Sequence, residues 1–204
     1  MRFDEFKTKV KDLPLLTIPS LRLLLGNGQA VKNQITRWQK SGKILRLRRG
    51  IYILNEADRK LNPSRAFIAG ELYHPSYVST EYALSFYGLI PERSADVTSV
   101  TSKKTAFFSN AYGKFVYQNI RNSCFAGFEE IKDEAGLTYF MALPEKALAD
   151  FLYLNLNRFS GDSGPALTDS FRFQNTGILR KKILYRYGEL FANNKLMALL
   201  KQAV

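Results

Sequence analysis

A single cysteine, Cys124, stands in 204 residues. That excludes an intramolecular disulfide framework and any zinc site built on cysteines. A single histidine, His74, excludes a His-rich metal centre. Acidic residues are scarce: 18 Asp and Glu face 30 Lys and Arg, for a formal net charge of +12. Long apolar runs are missing as well. The most apolar early stretch, Leu13 to Leu25, is broken by Pro14, Pro19 and Arg22, whereas a membrane span needs about 20 apolar residues. The amino terminus, MRFDEFKTKVKD, carries both signs of charge and no apolar core, unlike a secretory signal. The expected compartment is the cytoplasm, with no membrane partner. There is no Walker loop, no Gly-x-Gly-x-x-Gly and no Gly-x-Ser-x-Gly, so the chain reads as a non-enzyme with no cofactor and no metal.

What is present is an ordinary globular composition, 46% apolar and 24% charged, long enough for one large domain or two small ones. The excess charge points to a polyanionic partner. Its placement narrows the choice. Residues 1–60 carry 14 basic and 5 acidic residues, a net +9, and residues 61–204 carry only +3. Residues 30–50 hold Lys32, Arg37, Lys40, Lys43, Arg46, Arg48 and Arg49 without one acid. A merely solvated face tends to mix signs.

Three helices are expected in this module. Phe3, Phe6 and Val10 fall at helical spacing. Thr17 or Ser20 caps a second helix through Leu25, with Pro19 early in it. Gly26-Asn27-Gly28 makes a turn. A third helix over 29–41 puts Val31, Ile35 and Trp38 on one face. KILRLRRGIYIL, residues 43–54, reads as a hairpin in which Leu45 and Leu47 alternate with Arg46 and Arg48. Three short helices and a basic hairpin form the plan of a winged helix-turn-helix domain, assigned to residues 1–57.

The third helix then offers Asn33, Thr36, Arg37 and Lys40 opposite its apolar face, side chains suited to reading base edges in a major groove. Lys32 and Gln34 on the flanks, with Lys43, Arg46, Arg48 and Arg49 of the hairpin, suit the backbone or the minor groove. The expected partner is double-stranded DNA. The module lacks the exposed aromatic sheet that favours single strands. Trp38 and Tyr52 are expected to pack inside.

Residues 55–64 look like a polar linker. Residues 64–204 read as a mixed α+β domain with a helical tail, which makes the whole an α+β protein. Helices are expected near 64–72, 79–87, 144–157, 176–187 and 189–202, strands at 96–101, 105–108, 114–120 and 137–142, and a loop at SGDSGP, 160–165. Glu145, Lys146 and Asp150 share one helix, either as structural pairs or as a partner-contact surface. Ser79 reads as a helix cap. A second basic group, Arg172, Arg180, Lys181, Lys182 and Arg186, is either a solvated face or extra phosphate contact. Glu130-Ile131-Lys132 has the form of a nuclease metal motif's tail, but FEEIKDE reads better as a polar turn. Two other readings therefore stand beside DNA binding: a protein-interaction module for an acidic partner, and a nuclease.

The segment ITRWQKSGKILRLRRGIYIL resembles the amino-terminal winged helix of AbiEi-type antitoxins, regulators of viral defence systems. Ile35, Arg37, Trp38, Gly42, Arg46, Arg49, Gly50, Ile51 and Tyr52 fill the family's slots, Trp38 replacing an aliphatic residue. PSYVSTEYALSFYGLIPE, residues 75–92, is similar to a second family segment, with Tyr82 where a small residue is common. MALPEKALADFLYL, residues 141–154, is similar to a third. The likeness runs from about residue 15 to 155. It implies the antitoxin of a type IV toxin–antitoxin pair, one that represses its own operon by binding promoter repeats. Its larger domain would counteract a nucleotidyltransferase-like toxin of AbiEii type.

Overall fold

A computed structural model describes residues 1–159 and 173–203. The chain is α+β. Helix α1 (Phe3–Val10) and strand β1 (Leu16–Thr17) precede α2 (Ile18–Leu25) and α3 (Gln29–Lys40). A hairpin follows, β2 (Ile44–Arg48) and β3 (Ile51–Leu54). Thr17 caps α2 reciprocally: its Oγ1 accepts from the Ser20 amide and Ser20 Oγ accepts from the Thr17 amide. Pro19 lies in the first turn, where no amide is needed. Thr17→Ala is expected to cost about 1 kcal/mol of stability, measured by urea unfolding. The turn from α2 to α3 needs glycine: Gly28, at φ +112, occupies backbone space that other residues rarely adopt.

The three helices close on a core of Phe3, Phe6, Val10, Leu21, Val31, Ile35 and Trp38. Trp38 stacks on Phe6 at 4.5 Å and meets Phe3 edge-on at 5.5 Å. Strands β1, β3 and β2 make a three-stranded antiparallel sheet in that order. Its two faces have different neighbours. Leu16, Ile44 and Leu54 pack into the helical core, with Tyr52 against it. Leu15, Leu47, Ile51 and Ile53 join the larger core of the rest of the chain, with Leu45 against it. The regular alternation expected of β2 is broken: register shifts between Arg46 and Arg48, so Leu47 bulges. Residues 55–64, expected to be a plain linker, are pinned to α1. Lys7 pairs with Asp58 at 2.7 Å, and the Lys60 amide donates to the Lys11 carbonyl.

The rest of the chain builds a six-stranded mixed sheet in the order β6-β7-β5-β4-β9-β8. The strands are β4 (Ser76–Val78), β5 (Val97–Thr101), β6 (Ala106–Asn110), β7 (Gly113–Asn119), β8 (Phe128–Lys132) and β9 (Thr138–Ala142). β5, lying between β4 and β7, is β-branched and largely buried. Helix α4 (Arg65–Leu72), capped by Ser64, lies on β4, β5 and β9. Helix α5 (Thr80–Phe86) packs on β5 and α6 (Pro144–Leu154), and α6 meets α7 (Lys181–Glu189) and α8 (Asn194–Gln202). The FEEIKDE run is not a turn: its first residues form edge strand β8, leaving Glu130 and Lys132 exposed. The expected loop at 160–165 lies outside the described residues.

Candidate nucleic-acid interface

Helix α3 presents two faces. Val31, Ile35 and Trp38 are buried, and Lys32, Asn33, Thr36, Arg37 and Lys40 are exposed. Helical periodicity requires the separation, since one stripe packs on α1 and the sheet. Two of the polar groups have local partners. Gln29 Nε2 donates to Asn33 Oδ1 at 3.0 Å, and Thr36 Oγ1 donates to the Lys32 carbonyl at 2.9 Å. Among the described residues, Lys32, Arg37 and Lys40 enter no ion pair.

The flanking residues divide. Gln34 is half-buried and donates to the Met1 carbonyl at 2.5 Å. Lys43 lies over the Phe3 ring at 4.6 Å. Arg46 and Arg49 are exposed, whereas Arg48 is half-buried with its guanidinium 5.7 Å from the Phe108 ring. Arg48 is therefore not a free finger of the hairpin; the bulge at Leu47 turns it towards β6. Gln34 and Lys43 are likewise occupied by the amino terminus. Of the expected contact residues, Lys32, Arg37, Lys40, Arg46 and Arg49 are open cations.

Glu145, Lys146 and Asp150 cannot form a contact surface. All three are fully buried. Lys146 Nζ donates to Asp150 Oδ1 and sits 4.6 Å from the Phe191 ring. Tyr77 and Ser79 donate to Asp150 Oδ2 at 2.9 and 2.8 Å. Ser79 holds the position before α5, yet its hydroxyl goes to Asp150 and not to the helix. Burial pushes the Asp150 carboxyl up, against the pull of Lys146 and of the Ser79 and Tyr77 hydroxyls. Tyr77 is raised by its own burial and by Asp150 beside it.

Glu145 receives Arg180 Nε at 2.7 Å and the Arg180 amide at 3.1 Å. Burial alone would raise its carboxyl; Arg180 outweighs that and holds it below the usual range. The sign follows. This stabilisation is present at neutral pH and disappears as pH falls through the lowered value. Melting temperature is expected to fall below about pH 4, and Glu145→Gln to flatten that slope in a pH series of thermal melts. Of the second basic group, Arg180 is thus engaged, while Lys181, Lys182 and Arg186 are exposed. Arg172 lies outside the described residues.

Among the described residues there is no group of three or more His, Cys, Asp or Glu able to hold a metal ion. Cys124 is fully buried, with Sγ 3.1 Å from the Leu190 carbonyl. No helix among the described residues is long and apolar enough to cross a membrane.

Two exposed residues are absent from the sequence reading: Phe107, which lines a cleft with the hairpin arginines, and Lys114 on the neighbouring strand. Residues 97–128 contain no acid, a signal that was visible but diluted by the near-balance of the larger region. Neither a protein-family model nor a curated protein matches this chain.

Proposed function

We propose that the chain is a sequence-specific DNA-binding transcriptional regulator of winged helix-turn-helix type. In this reading α2 and α3 are the helix-turn-helix, α3 is the recognition helix, and β2–β3 is the wing. The carrying observation is the outward face of α3, where Lys32, Asn33, Thr36, Arg37 and Lys40 are all exposed opposite a packed apolar stripe. Asn33 and Arg37 are exposed side chains of the types that address adenine and guanine edges, and Lys32 and Lys40 carry the charge for phosphates. Arg46 and Arg49 on the wing add backbone or minor-groove contact. The resemblance to AbiEi-type antitoxins extends the proposal to an autorepressor that binds its own promoter repeats and counteracts a nucleotidyltransferase-like toxin.

Two experiments test the two halves. Labelled DNA from the chain's own upstream region is expected to bind far more tightly than a scrambled duplex of the same composition; equal affinity would remove the regulator reading. Co-expression with the nucleotidyltransferase-like product of a neighbouring gene is expected to restore growth. Growth arrest that persists would leave a regulator without antitoxin activity.

A further inference from the structure

The two open sheet edges lie beside one another. β2 is the edge of the three-stranded sheet and β6 the edge of the six-stranded one. At one end Asn110 Nδ2 donates to the Leu47 carbonyl at 3.1 Å, tying them together. Beside that bond is a cleft of about 610 Å³, lined by Arg46, Leu47, Arg48, Arg49, Phe107, Phe108 and Ser109. Three arginines line it, and none makes an ion pair among the described residues. Arg48 Nε is buried without a hydrogen-bond partner, a costly state that an incoming acceptor relieves.

Phe107 is 58% exposed. In register it sits opposite Val116, and Ser109 opposite Lys114. Phe115 and Tyr117 are the buried residues of β7, so Phe107 and Lys114 share the outward face. An exposed aromatic among unpaired cations is the arrangement that stacks a base and holds its phosphates. Phe3, Phe6, Trp38 and Tyr52 of the first 57 residues are buried or half-buried; the larger sheet supplies the exposed aromatic.

We propose that this cleft binds a single-stranded nucleic-acid segment, with phosphates on Arg46, Arg48 and Arg49 and one base stacked on Phe107. The inference rests on the nucleic-acid reading only through Arg46 and Arg49, which both sites use. A duplex keeps its bases inside the stack and offers Phe107 no face. The cleft also has the volume of a small-molecule site, about 300–1,000 Å³, enough for a nucleotide or two. An acidic peptide adding a strand needs a continuous free edge, and here Asn110 already ties the cleft's end to Leu47.

The test uses the full chain and a labelled oligothymidylate of about ten nucleotides, within single-strand site sizes, read by fluorescence anisotropy. Phe107→Ala is expected to weaken binding roughly 5- to 150-fold, as loss of one stacked base does. Phe107→Tyr is expected to keep it. Phe107 is exposed, so folding is checked by an unchanged thermal melt. Arg37→Ala with Lys40→Ala, which tests the duplex reading, is expected to spare oligothymidylate binding. Unchanged binding by Phe107→Ala would overturn the proposal and leave the duplex reading standing. So would oligothymidylate binding that falls with the Arg37 and Lys40 changes instead. A labelled oligoglutamate that binds with the same dependence on Phe107 would overturn it in favour of an acidic peptide.

Discussion

Lys146→Met is expected to lower the unfolding free energy by about 3–5 kcal/mol, the cost of leaving a buried charge without its partner. Lys146 and Asp150 are both fully buried. Once the ammonium is gone, Asp150 keeps the Tyr77 and Ser79 hydroxyls but loses the cation that pairs with it among the described residues. The carboxyl must then take a proton, or the helix must open. Adding Asp150→Asn removes the stranded charge while leaving an oxygen for both hydroxyls. The double variant is therefore expected to be more stable than Lys146→Met alone. Denaturant unfolding of the two variants and the parent decides it. A double variant no better than the single would show that packing, not the charge, is what Lys146 supplies. The network joins β4, the start of α5 and the middle of α6, so its loss loosens the larger region while the helical core around Trp38 is untouched.

The second large effect is on DNA. Arg37→Ala is expected to cost about 1–3 kcal/mol of binding to the cognate duplex, because a bidentate contact to guanine carries that much discrimination. Binding to a scrambled duplex is expected to change far less, so selectivity falls. Lys32→Ala is expected to weaken both duplexes alike and to reduce the salt slope by about one. The contrast separates base reading from phosphate contact. If the two substitutions behaved alike on cognate and scrambled DNA, α3 would be an electrostatic surface without sequence reading. Arg48→Ala is expected to do less to duplex binding than Arg49→Ala, since its guanidinium lies over Phe108 and not at the hairpin's open side.

Local signals were the ones the sequence carried well. The spacing of Val31, Ile35 and Trp38, the Thr17–Ser20 cap and the Gly-Asn-Gly turn each depend on neighbours a few residues away. The base-bearing face of α3 follows from the same periodicity. Non-local pairing was hidden. Leu45 and Leu47 look like one buried face of a simple hairpin, but the bulge at Leu47 and the second core behind the sheet alter which arginine is free. Lys146 and Asp150 at helical spacing read as a surface pair, because Tyr77 and Ser79 complete their burial from 73 and 71 residues away. Strand β4 is only three residues long, too short to show a period. Phe107 falls within the strand expected at 105–108, and only its outward register opposite Val116 and the cleft it shares with the hairpin arginines set it apart.

The central claim is that this protein holds duplex DNA through the open cations of α3 and its hairpin: Lys32, Arg37, Lys40, Arg46 and Arg49. Each phosphate neutralised contributes about −0.9 to the slope of log affinity against log salt concentration. Measuring affinity for the upstream duplex across a salt series therefore counts them. With Arg37 on a base edge, Lys32, Lys40, Arg46 and Arg49 are left for phosphates, which predicts a slope of about −3 to −4, on a duplex that a scrambled competitor does not displace. A slope near zero, or displacement by scrambled DNA at equal concentration, would contradict it.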